Sequence, residues 1–372
     1  MRRLKIFVTG TRGIPDIPGG VEKHCQELFP RIAAKGHKVL LCTRNSYVTK
    51  KIDEWRGVKL INCFAPRRKS FEAIVHTFIA LLKARWHSPD VVHINAIGPS
   101  LLTPFARLMG LRVVVTNHGP DYDRQKWGNV AKFVLRLGEK MGGLYANEVI
   151  VISSVIGNII HERCNRESNL IYNGVNLPEK SKGTDFLSGL GAEPGKYILA
   201  VARFVPEKGL HDLFNAFKAL EGDYNLVVAG DADHETDYSK NLRQMAAEDD
   251  RIILTGYITG EPLNQVYSHA CLFVLPSYHE GLPIALLEAM SYGLPVLVSD
   301  IPANKEVGLP SERYFKCGNV SDLKEKMEAL LEVKLSEREK EEIRSQIKEK
   351  YNWDRIAEQT IEVYEKVLVR RA

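Results

Sequence analysis

Short apolar runs alternate with amphipathic stretches along the whole chain. Residues 197–202 and 271–275 are continuous apolar runs with β-branched side chains, as in strands that are buried on both faces of a parallel sheet. In residues 21–34 the apolar positions recur every three or four residues, which predicts a helix with one buried side, kinked at Pro30. Alternation of the two patterns is typical of a doubly wound α/β domain.

The alternation occurs in two rounds, separated by the polar residues 178–195, which we interpret as a linker. We therefore predict two Rossmann-like domains, residues 1–177 and 178–352, that face a central cleft, and a C-terminal helix, residues 353–372, that could return to the first domain. The predicted strands are residues 6–9, 39–43, 58–62, 91–94, 112–116, 148–152, 197–202, 225–229, 251–254, 271–275 and 295–299. The predicted helices are residues 21–34, 71–85, 101–109, 129–144, 210–220, 238–247, 263–270, 284–290, 320–331, 336–351 and 356–369, with one more starting at Ser153.

The composition indicates a soluble globular protein. Hydrophobic residues make up 44% of the 372 positions and charged residues 26%. No apolar run approaches the roughly 20 residues of a membrane helix. The chain enters its first predicted strand almost at once, so we expect no signal peptide. The six cysteines lack metal-binding spacing, which favours reduced thiols in a cytoplasmic protein.

The charges are distributed unequally between the two predicted domains. Basic residues outnumber acidic ones by about two to one in residues 1–177, whereas acidic residues are in excess in residues 178–372. A basic domain of this kind indicates an anionic partner, for which a membrane surface, a phosphate-bearing acceptor and nucleic acid are the candidates.

Two carboxylates flank a predicted helix start in residues 277–299. Glu280 follows the strand at 271–275, Pro283 suits the first helical position, and Glu288 lies on the helix. Free N–H groups at a helix start favour an anion such as phosphate, and a carboxylate near a buried helix can bind ligand hydroxyls. Taken alone, this segment is explained equally well without a ligand. Glu280 would then be solvated, and Glu288 would only interact favourably with the helix dipole.

A second polar segment follows the first predicted strand of the second domain. Arg203 can bind phosphate oxygens through two hydrogen bonds, and Lys208 can do so as a point charge, although each alone is typical of a solvated turn. Their presence at the same sheet edge as Glu280 favours a ligand site. The glycine-rich residues 10–20 after the first strand also suit a phosphate or sugar, but they lack the G-x-G-x-x-G pattern of a dinucleotide site.

With these motifs in place, the sequence resembles retaining glycosyltransferases of the GT-B fold, family 4, over nearly its whole length. The most specific parts are the Glu-x7-Glu motif at residues 280–288 and the segment at residues 202–209. The glycine-rich residues 10–22 resemble bacterial enzymes that assemble surface polysaccharides, some of them rhamnosyltransferases. Residues 117–128 resemble the family's acceptor-side His-Gly segment, although members often have Leu-Asp-Trp where this chain has Pro-Asp-Tyr at residues 120–122.

The resemblance implies a role for each matching residue. Arg203 and Lys208 would hold the donor diphosphate, Glu288 the ribose and Glu280 the transferred sugar. His118 would bind or orient that sugar, and we count it with Glu280, Arg203 and Lys208 as catalytic. Further donor contacts would come from Gly19 and Gly20, from the backbone of Gly281, Leu282 and Pro283, and from Tyr257 beside the base. We leave His93 and Asn173 as structural residues, and we expect no metal and no cofactor, since no Asp-x-Asp motif is in place.

The resulting hypothesis is a metal-independent, retaining hexosyltransferase. It would move a hexose from a nucleotide diphosphate sugar, preferably a UDP-sugar, to a saccharide or lipid-linked saccharide during polysaccharide or glycoconjugate assembly. Retention would proceed by one front-face step, with a covalent intermediate on Glu280 as the alternative. Rival hypotheses are a sugar-nucleotide epimerase of the same fold and a non-catalytic protein that binds sugar nucleotides or nucleic acid; the retained Arg203 and Lys208 argue against the latter.

We expect a cytoplasmic protein that could bind the inner face of the membrane through its basic first domain. The best docking candidate is the basic triplet at 67–69 together with the helix that follows it. The apolar positions of that helix are 71, 74, 75, 78, 79 and 82. They either dock on lipid or pack on the sheet, and we favour packing on the sheet.

Overall fold

The computed structural model describes residues 2–48, 52–66, 72–123, 128–232, 234–332 and 335–369. The chain divides into two compact units. Unit 1 consists of Met1–Gly174 and Trp353–Ala372, and unit 2 of Val175–Asn352. Each unit is a parallel α/β sheet covered by helices, so the predicted α/β class with two Rossmann-like sheets is confirmed.

Unit 1 is built on an eight-stranded sheet in the order β3-β4-β2-β1-β5-β6-β7-β8, parallel except at the β3–β4 edge. Its strands are β1 Lys5–Thr9, β2 Lys38–Arg44, β3 Glu54–Trp55, β4 Val58–Cys63, β5 Val91–Asn95, β6 Val113–Asn117, β7 Glu148–Val151 and β8 Asn169–Leu170. Its helices are α1 Gly20–Ala34, α2 Glu72–His87, α3 Thr103–Leu108, α4 Asn129–Tyr145, α5 Ser154–Cys164 and α14 Trp353–Val369. β1, β2, β5 and β6 are buried almost throughout, as their continuous apolar sequences require.

The last helix of the chain completes the core of unit 1. On α14 the buried residues Trp353, Ile356, Ile361 and Tyr364 join one hydrophobic cluster with the interior residues of β1 and α1. The apolar side of the helix predicted at residues 356–369 therefore packs against the first part of the chain.

Unit 2 has a six-stranded, fully parallel sheet in the order β11-β10-β9-β12-β13-β14. Its strands are β9 Tyr197–Val201, β10 Asn225–Ala229, β11 Ile252–Gly256, β12 Leu272–Leu275, β13 Val296–Ser299 and β14 Tyr314–Phe315. Its helices are α6 Asp185–Leu190, α7 Leu210–Lys218, α8 Asp237–Ala247, α9 Gly260–Ser268, α10 Ile284–Ser291, α11 Pro302–Lys305, α12 Val320–Glu332 and α13 Glu337–Lys350.

Several local predictions are wrong in detail. The segment 178–195 is not plain linker, because it contains α6, whose Leu187 is fully buried. Pro283 is not the first residue of α10 but its N-cap, with φ −77° and ψ 108°.

The favoured orientation of the helix at 71–85 is also wrong. On α2 the fully buried residues include His76, Ala80 and Leu81, whereas Phe78 and Leu82 are exposed. Of the predicted apolar positions that the structure describes, none is fully buried; residues 67–71 lie outside the described residues.

Candidate active site

Two loops of unit 2 meet at one edge of the sheet. β9 and β12 are parallel neighbours, so the loops that follow them leave the sheet side by side. The contact is close at Gly209, which has φ +63° and where an added Cβ would lie 2.2 Å from the carbonyl oxygen of Pro276. The backbone N–H of Tyr278 also donates to the carbonyl of Glu207 at 2.9 Å. Only glycine fits at position 209, and the two loops are fixed against each other.

The same loops bring a lysine and a glutamate together. Lys208 Nζ donates to Glu280 Oε1 at 2.5 Å, and Ser277 Oγ donates to the same oxygen at 2.7 Å. The Glu280 side chain is only 9% exposed and that of Lys208 19%. The ion pair offsets the cost of removing the two charges from water, a cost that either charge alone would bear without compensation.

Ser277 is itself held by the next strand. Its carbonyl accepts a hydrogen bond from Ser299 Oγ at 2.5 Å, and Asn304 Nδ2 donates to Ser299 Oγ at 3.0 Å. All three residues are fully buried. The position of Glu280 is therefore determined by a chain of buried hydrogen bonds that reaches α11.

Glu288 lies on α10 beside two stacked tyrosines. Tyr267 OH donates to Glu288 Oε2 at 3.2 Å, and the ring of Tyr267 stacks on that of Tyr292 at 5.0 Å. Burial, with the Glu288 carboxylate beside it, raises the pKa of Tyr267 well above its usual range. Tyr267 is therefore a permanent donor that orients the Glu288 carboxylate.

A further hydrogen bond ties the loop after β12 to α7. Tyr278 OH donates to Asp212 Oδ2 at 2.5 Å, and burial together with this carboxylate raises the pKa of Tyr278. The ring of Tyr278 also stacks on His211 at 6.0 Å. The loop between Ser277 and Glu280 is thus held at both ends.

The other predicted donor residues of unit 2 lie in the same part of the sheet or near it. Arg203 is partly exposed in the loop after β9, and Gly281 is partly exposed, whereas Leu282 and Pro283 are buried. Pro283 has no N–H group, so in this segment only Gly281 and Leu282 can donate from the backbone. Tyr257 is 58% exposed directly after β11, which is separated from β9 by β10. The structure thus brings Lys208 and Glu280 into contact and places Tyr257 two strands away.

In unit 1, His118 follows β6 and contacts an asparagine at the end of β5. Asn95 Nδ2 donates to the carbonyl of Thr9, so Asn95 Oδ1 is the atom that lies 3.2 Å from His118 Nε2. An oxygen can only accept, so His118 carries its proton on Nε2 and has an acceptor lone pair on Nδ1. Burial, together with nearby His93, lowers the pKa of His118 to about 3, which keeps the ring neutral at physiological pH.

Two more neutral histidines lie behind His118. The ring of His24 lies 4.8 Å from that of His118, edge to face, and its Nδ1 pairs with Asn173 Oδ1 at 2.9 Å. His93 bridges Tyr364 OH and Thr116 Oγ1, both at 2.6 Å. Burial lowers the pKa of both histidines to about 3. His93 and Asn173 therefore support the core around His118.

Tyr122 anchors the loop that carries His118. The guanidinium groups of Arg136 and Arg163 lie 5.1 and 5.0 Å from the centre of its ring, and its hydroxyl donates to Glu139 Oε2 at 3.2 Å. Residues 124–127 of the predicted His-Gly segment lie outside the described residues.

The glycine-rich loop after β1 is closed by an ion pair. Glu22 accepts hydrogen bonds from the backbone N–H and the guanidinium of Arg12, both at 3.0 Å. Burial opposes the charge on Glu22, but Arg12 and these hydrogen bonds outweigh it and lower the pKa of Glu22. At Gly19, φ is +142° and an added Cβ would overlap the carboxylate of Glu22, whereas Gly20 has open space around it.

Sequence reasoning missed several residues that build these two sites. Ser277 and Asn95 were visible as polar residues at the ends of predicted apolar strands, the position where ligand sites form in parallel sheets. Tyr267 lies inside a helix and His24 lies among the buried apolar positions of another, so no local pattern distinguishes them.

Within the described residues, no three His, Cys, Asp or Glu side chains are grouped closely enough to hold a metal ion. In the same part of the chain, no helix has both the length and the apolarity needed to cross a membrane.

Two family models match the chain in succession. The model of glycosyltransferase family 4 matches residues 18–179, and that of the group 1 glycosyl transferases matches residues 185–362. An uncharacterised glycosyltransferase of Methanocaldococcus jannaschii is 24% identical over 97% of this chain and 98% of its own length. An O-antigen chain mannosyltransferase of Salmonella typhimurium is 31% identical over 48% of this chain and 49% of its own length. A UDP-Gal:alpha-D-GlcNAc-diphosphoundecaprenol alpha-1,3-galactosyltransferase of Escherichia coli is 28% identical over 63% of each chain.

Solved structures share the fold across both units. A sucrose-phosphate synthase from Thermosynechococcus elongatus superposes with a TM-score of 0.84 at 21% identity, covering 99% of this chain and all of that one. An Anabaena protein in complex with UDP-glucose gives 0.79 at 17% identity, covering 97% of this chain and 99% of that one. The expected GT-B fold is therefore confirmed. Since the two family matches together span almost the whole chain, the protein belongs to the family 4 glycosyltransferases of the GT-B fold.

Proposed function

We propose that this glycosyltransferase moves a hexose from a UDP-sugar to a saccharide or lipid-linked saccharide, with retention of anomeric configuration and without a metal ion. The observation that carries the proposal is the contact between Lys208 and Glu280, at the sheet edge that also bears Arg203. Lys208 and Arg203 could bind a diphosphate there, and the neighbouring Glu280 carboxylate could bind a sugar.

Donor binding would exchange the partners of Lys208. In the structure its ammonium is neutralised by Glu280 Oε1. A diphosphate carries more charge than one carboxylate and would draw Lys208 away, with Arg203 as the second cation. The released Glu280 oxygen could then accept a hydrogen bond from a sugar hydroxyl. In this proposal sugar binding and diphosphate binding assist each other.

Retention would proceed by the front-face route. In this route the departing phosphate receives the proton of the acceptor hydroxyl, so no strong base from the protein is required. Lys208 and Arg203 would stabilise the charge that grows on the leaving diphosphate. Ser277 and Lys208 both hold Glu280 Oε1, which suits a carboxylate that orients the sugar. A covalent intermediate on Glu280 is the second route.

The remaining donor contacts in this proposal are those that the family resemblance implies. Glu288, oriented by Tyr267, would accept the ribose hydroxyls. Gly281 and Leu282 N–H groups would face phosphate and sugar oxygens, Gly19 and Gly20 would approach the diphosphate, and Tyr257 would border the base. His118 Nδ1, an acceptor in the assigned tautomer, would take a hydrogen bond from a hydroxyl of the transferred sugar.

The relatives support the nucleotide and the acceptor class. The Escherichia coli galactosyltransferase uses a UDP-sugar and a diphosphoundecaprenol-linked acceptor by its name, and the Anabaena structure holds UDP-glucose. The mannosyltransferase relative assembles an O-antigen chain by its name. We therefore place the reaction in polysaccharide or glycoconjugate assembly.

The test is a thermal-shift screen with UDP-, GDP-, dTDP- and ADP-sugars, followed by product analysis with the best donor. We expect the largest stabilisation from a UDP-sugar, because ligands that bind only the folded state raise its unfolding temperature. Nuclear magnetic resonance of the product should show the anomeric configuration of the donor. Stabilisation by none of the four classes would refute the donor site.

An epimerase of the same fold is the second candidate function. It would convert the nucleotide sugar without any acceptor. The same assay decides, because release of an epimeric sugar or free UDP at an unchanged rate when acceptor is omitted would favour the epimerase. Acceptor-dependent release of UDP supports transfer.

A further inference from the structure

The chain passes between the two units at two points, and the residues at these points are bonded to each other. Unit 1 is interrupted after Gly174 and resumes at Trp353. The backbone N–H of Val175 donates to the carbonyl of Tyr351 at 2.9 Å, and Val175 forms a parallel bridge with Asn352. We call these five residues the paired crossings. Their backbones are held together, so they do not act as two independent linkers.

Within unit 1 the crossings are also packed against each other. An added Cβ at Gly174 would lie 2.5 Å from Cδ2 of Trp353, so the backbone of Gly174 lies directly against the indole. Trp353 is 3% exposed and belongs to the core cluster of unit 1. A change in the backbone at Gly174 would therefore displace the Trp353 ring.

His24 connects these residues to His118. Its Nδ1 pairs at 2.9 Å with Oδ1 of Asn173, the residue before Gly174, and its ring lies edge to face with the indole of Trp353 at 5.6 Å. An oxygen can only accept, so Nδ1 of His24 carries the proton. The ring of His118 lies 4.8 Å from that of His24, also edge to face. The orientation of one histidine is thus set by residues at the crossings, and this histidine contacts the other.

We propose that His24 is a positioning residue that ties the orientation of His118 to the backbone of the paired crossings. A displacement there would be carried by Asn173 and Trp353 to the His24 ring, and by that ring to His118. Protein interiors are close-packed, so buried rings in contact do not shift independently. The direction of His118 Nδ1, and with it the proposed hydrogen bond to the transferred sugar, would follow the crossings.

Packing alone does not explain an imidazole at this position. Burying a polar ring costs stability unless its nitrogens find partners, and within the described part of the chain Nε2 of His24 has none. An aliphatic side chain could fill the space without that cost. The imidazole adds the hydrogen bond from Nδ1 to Asn173, which fixes the plane of the ring that His118 contacts.

The role of His24 depends on the proposed function in one respect, namely that His118 binds the transferred sugar. The two can fail separately. Failure of the proposed function would appear as absence of UDP binding or of transfer in the unsubstituted protein. Failure of the positioning role would appear at the His118 ring itself, which can be observed without donor or turnover.

The first experiment is nuclear magnetic resonance of the full chain labelled with ¹⁵N at histidine. Protonated and unprotonated ring nitrogens give well-separated signals, and those of His24 and His118 are assigned from the spectra of His24→Gln and His118→Gln. We expect the proton on Nδ1 of His24 and on Nε2 of His118. Gly174→Ala adds a methyl group against the indole and should shift the signals of both rings. An unchanged His118 signal in Gly174→Ala would overturn the proposal.

Gly189→Ala is the matched control for this substitution. Gly189 lies on α6 of unit 2, and an added Cβ there would meet no atom within 4 Å. We expect the signals of both histidines to stay unchanged. If Gly189→Ala shifts the His118 signal as much as Gly174→Ala does, the response is not specific to the crossings and the proposal is wrong.

The second experiment asks whether His24 acts only through His118. His24→Phe keeps a ring beside Trp353 but removes the donor to Asn173. We expect kcat to fall by about tenfold, since a misplacement of about 1 Å can cost up to about a hundredfold. In the His118→Ala background the same substitution should cause no further loss, because no ring remains to be positioned. A loss that adds to that of His118→Ala would overturn the proposal.

The affinity for UDP separates positioning from general stability. The proposed nucleotide and diphosphate contacts of Arg203, Lys208 and Glu288 all belong to unit 2. His24→Phe should therefore bind UDP as tightly as the unsubstituted protein, which calorimetric titration measures and which also shows that the variant is folded. If the affinity for UDP falls by the same factor as kcat, His24 only stabilises the fold and the proposal is wrong.

Discussion

Lys208 Nζ lies 2.5 Å from Glu280 Oε1, so the proposed diphosphate cation and the proposed sugar carboxylate neutralise each other in the structure. Both side chains are mostly withdrawn from water. A nucleotide that binds to Lys208 must therefore compete with Glu280, and only a ligand that also carries the sugar can offer Glu280 a new partner. Substitution of Glu280 should therefore affect the affinity for UDP differently from the affinity for a UDP-sugar.

The first prediction concerns Glu280→Gln. The amide removes the negative charge that competes for Lys208, so we expect UDP to bind as tightly as in the unsubstituted protein or about tenfold more tightly. Transfer should fall by about a hundredfold or more, because the carboxylate is lost from the sugar. Calorimetric titration with UDP and a transfer assay measure the two effects. Loss of UDP affinity and activity in parallel would contradict this separation of roles.

The cations give a second prediction. Arg203→Ala and Lys208→Ala should each weaken UDP binding and lower kcat/KM by about a hundredfold, the usual effect of removing one charge-assisted contact to a developing anion. Lys218→Ala is the matched control, because Lys218 pairs with Glu248 on the surface of unit 2. Unchanged donor binding and unchanged transfer in both variants would show that the site is assigned wrongly.

Tyr267→Phe tests the orientation of Glu288. The variant removes the hydroxyl that donates to Glu288 Oε2 at 3.2 Å and keeps the ring stack with Tyr292. We expect about tenfold weaker UDP binding with a smaller change in kcat, since a hydrogen bond to a charged group contributes about 1.5–3 kcal/mol. Tyr292→Phe is the control, because its hydroxyl bonds to Asn264 instead. If the two variants weaken UDP binding equally, the Tyr267 hydroxyl has no specific role in nucleotide binding.

Three histidines of unit 1 predict how stability depends on pH. The pKa values of His24, His93 and His118 are lowered to about 3, against about 6.5 in the unfolded chain. Between these values the unfolded state binds more protons, so the free energy of unfolding falls as the pH drops below about 6.5. The loss is at most about 1.4 kcal/mol per histidine and pH unit.

Thermal unfolding between pH 7 and pH 5 measures this slope. The slope is proportional to the number of protons bound on unfolding. His93→Gln should lower that number by about one, whereas His234→Gln, at an exposed site of unit 2, should leave it unchanged. A midpoint that stays constant over this range would show that the three rings are accessible to protons in the folded state.

The last prediction concerns metal ions. If Lys208 and Arg203 provide the positive charge at the diphosphate, transfer should continue at an unchanged rate in excess EDTA. The measurement is the initial rate of UDP release after dialysis against the chelator. If EDTA abolishes activity and Mg²⁺ or Mn²⁺ restores it, a bound metal ion, and not the side-chain cations alone, stabilises the diphosphate.

The order of strands and helices was predictable because it is encoded locally. Buried parallel strands such as β1 and β12 are continuous apolar runs, and helices such as α12 and α14 have a clear apolar side. The Glu-x7-Glu and Arg203–Lys208 motifs are also local, which is why their adjacency at one sheet edge could be inferred before the structure.

What could not be predicted depends on contacts between distant residues. Ser277 and Lys208 share one oxygen of Glu280 although Lys208 is 72 positions away from it. His93 meets Tyr364 across 271 positions. The apolar positions of α2 predicted burial by their period alone, but the period does not specify which neighbour covers them. Periodicity therefore identified the helix and misassigned its surroundings.

The position of α14 has a consequence for how the chain is synthesised and folds. Trp353, Ile361 and Tyr364 belong to the core that also contains β1 and α1, so unit 1 lacks part of its interior until the final helix leaves the ribosome. Unit 2, encoded by Val175–Asn352, is complete earlier. We therefore expect unit 1 to complete its core after unit 2. A fragment that stops near residue 177 would expose the apolar surface that α14 covers, so unit 1 expressed alone would require residues 353–369 to be joined to it.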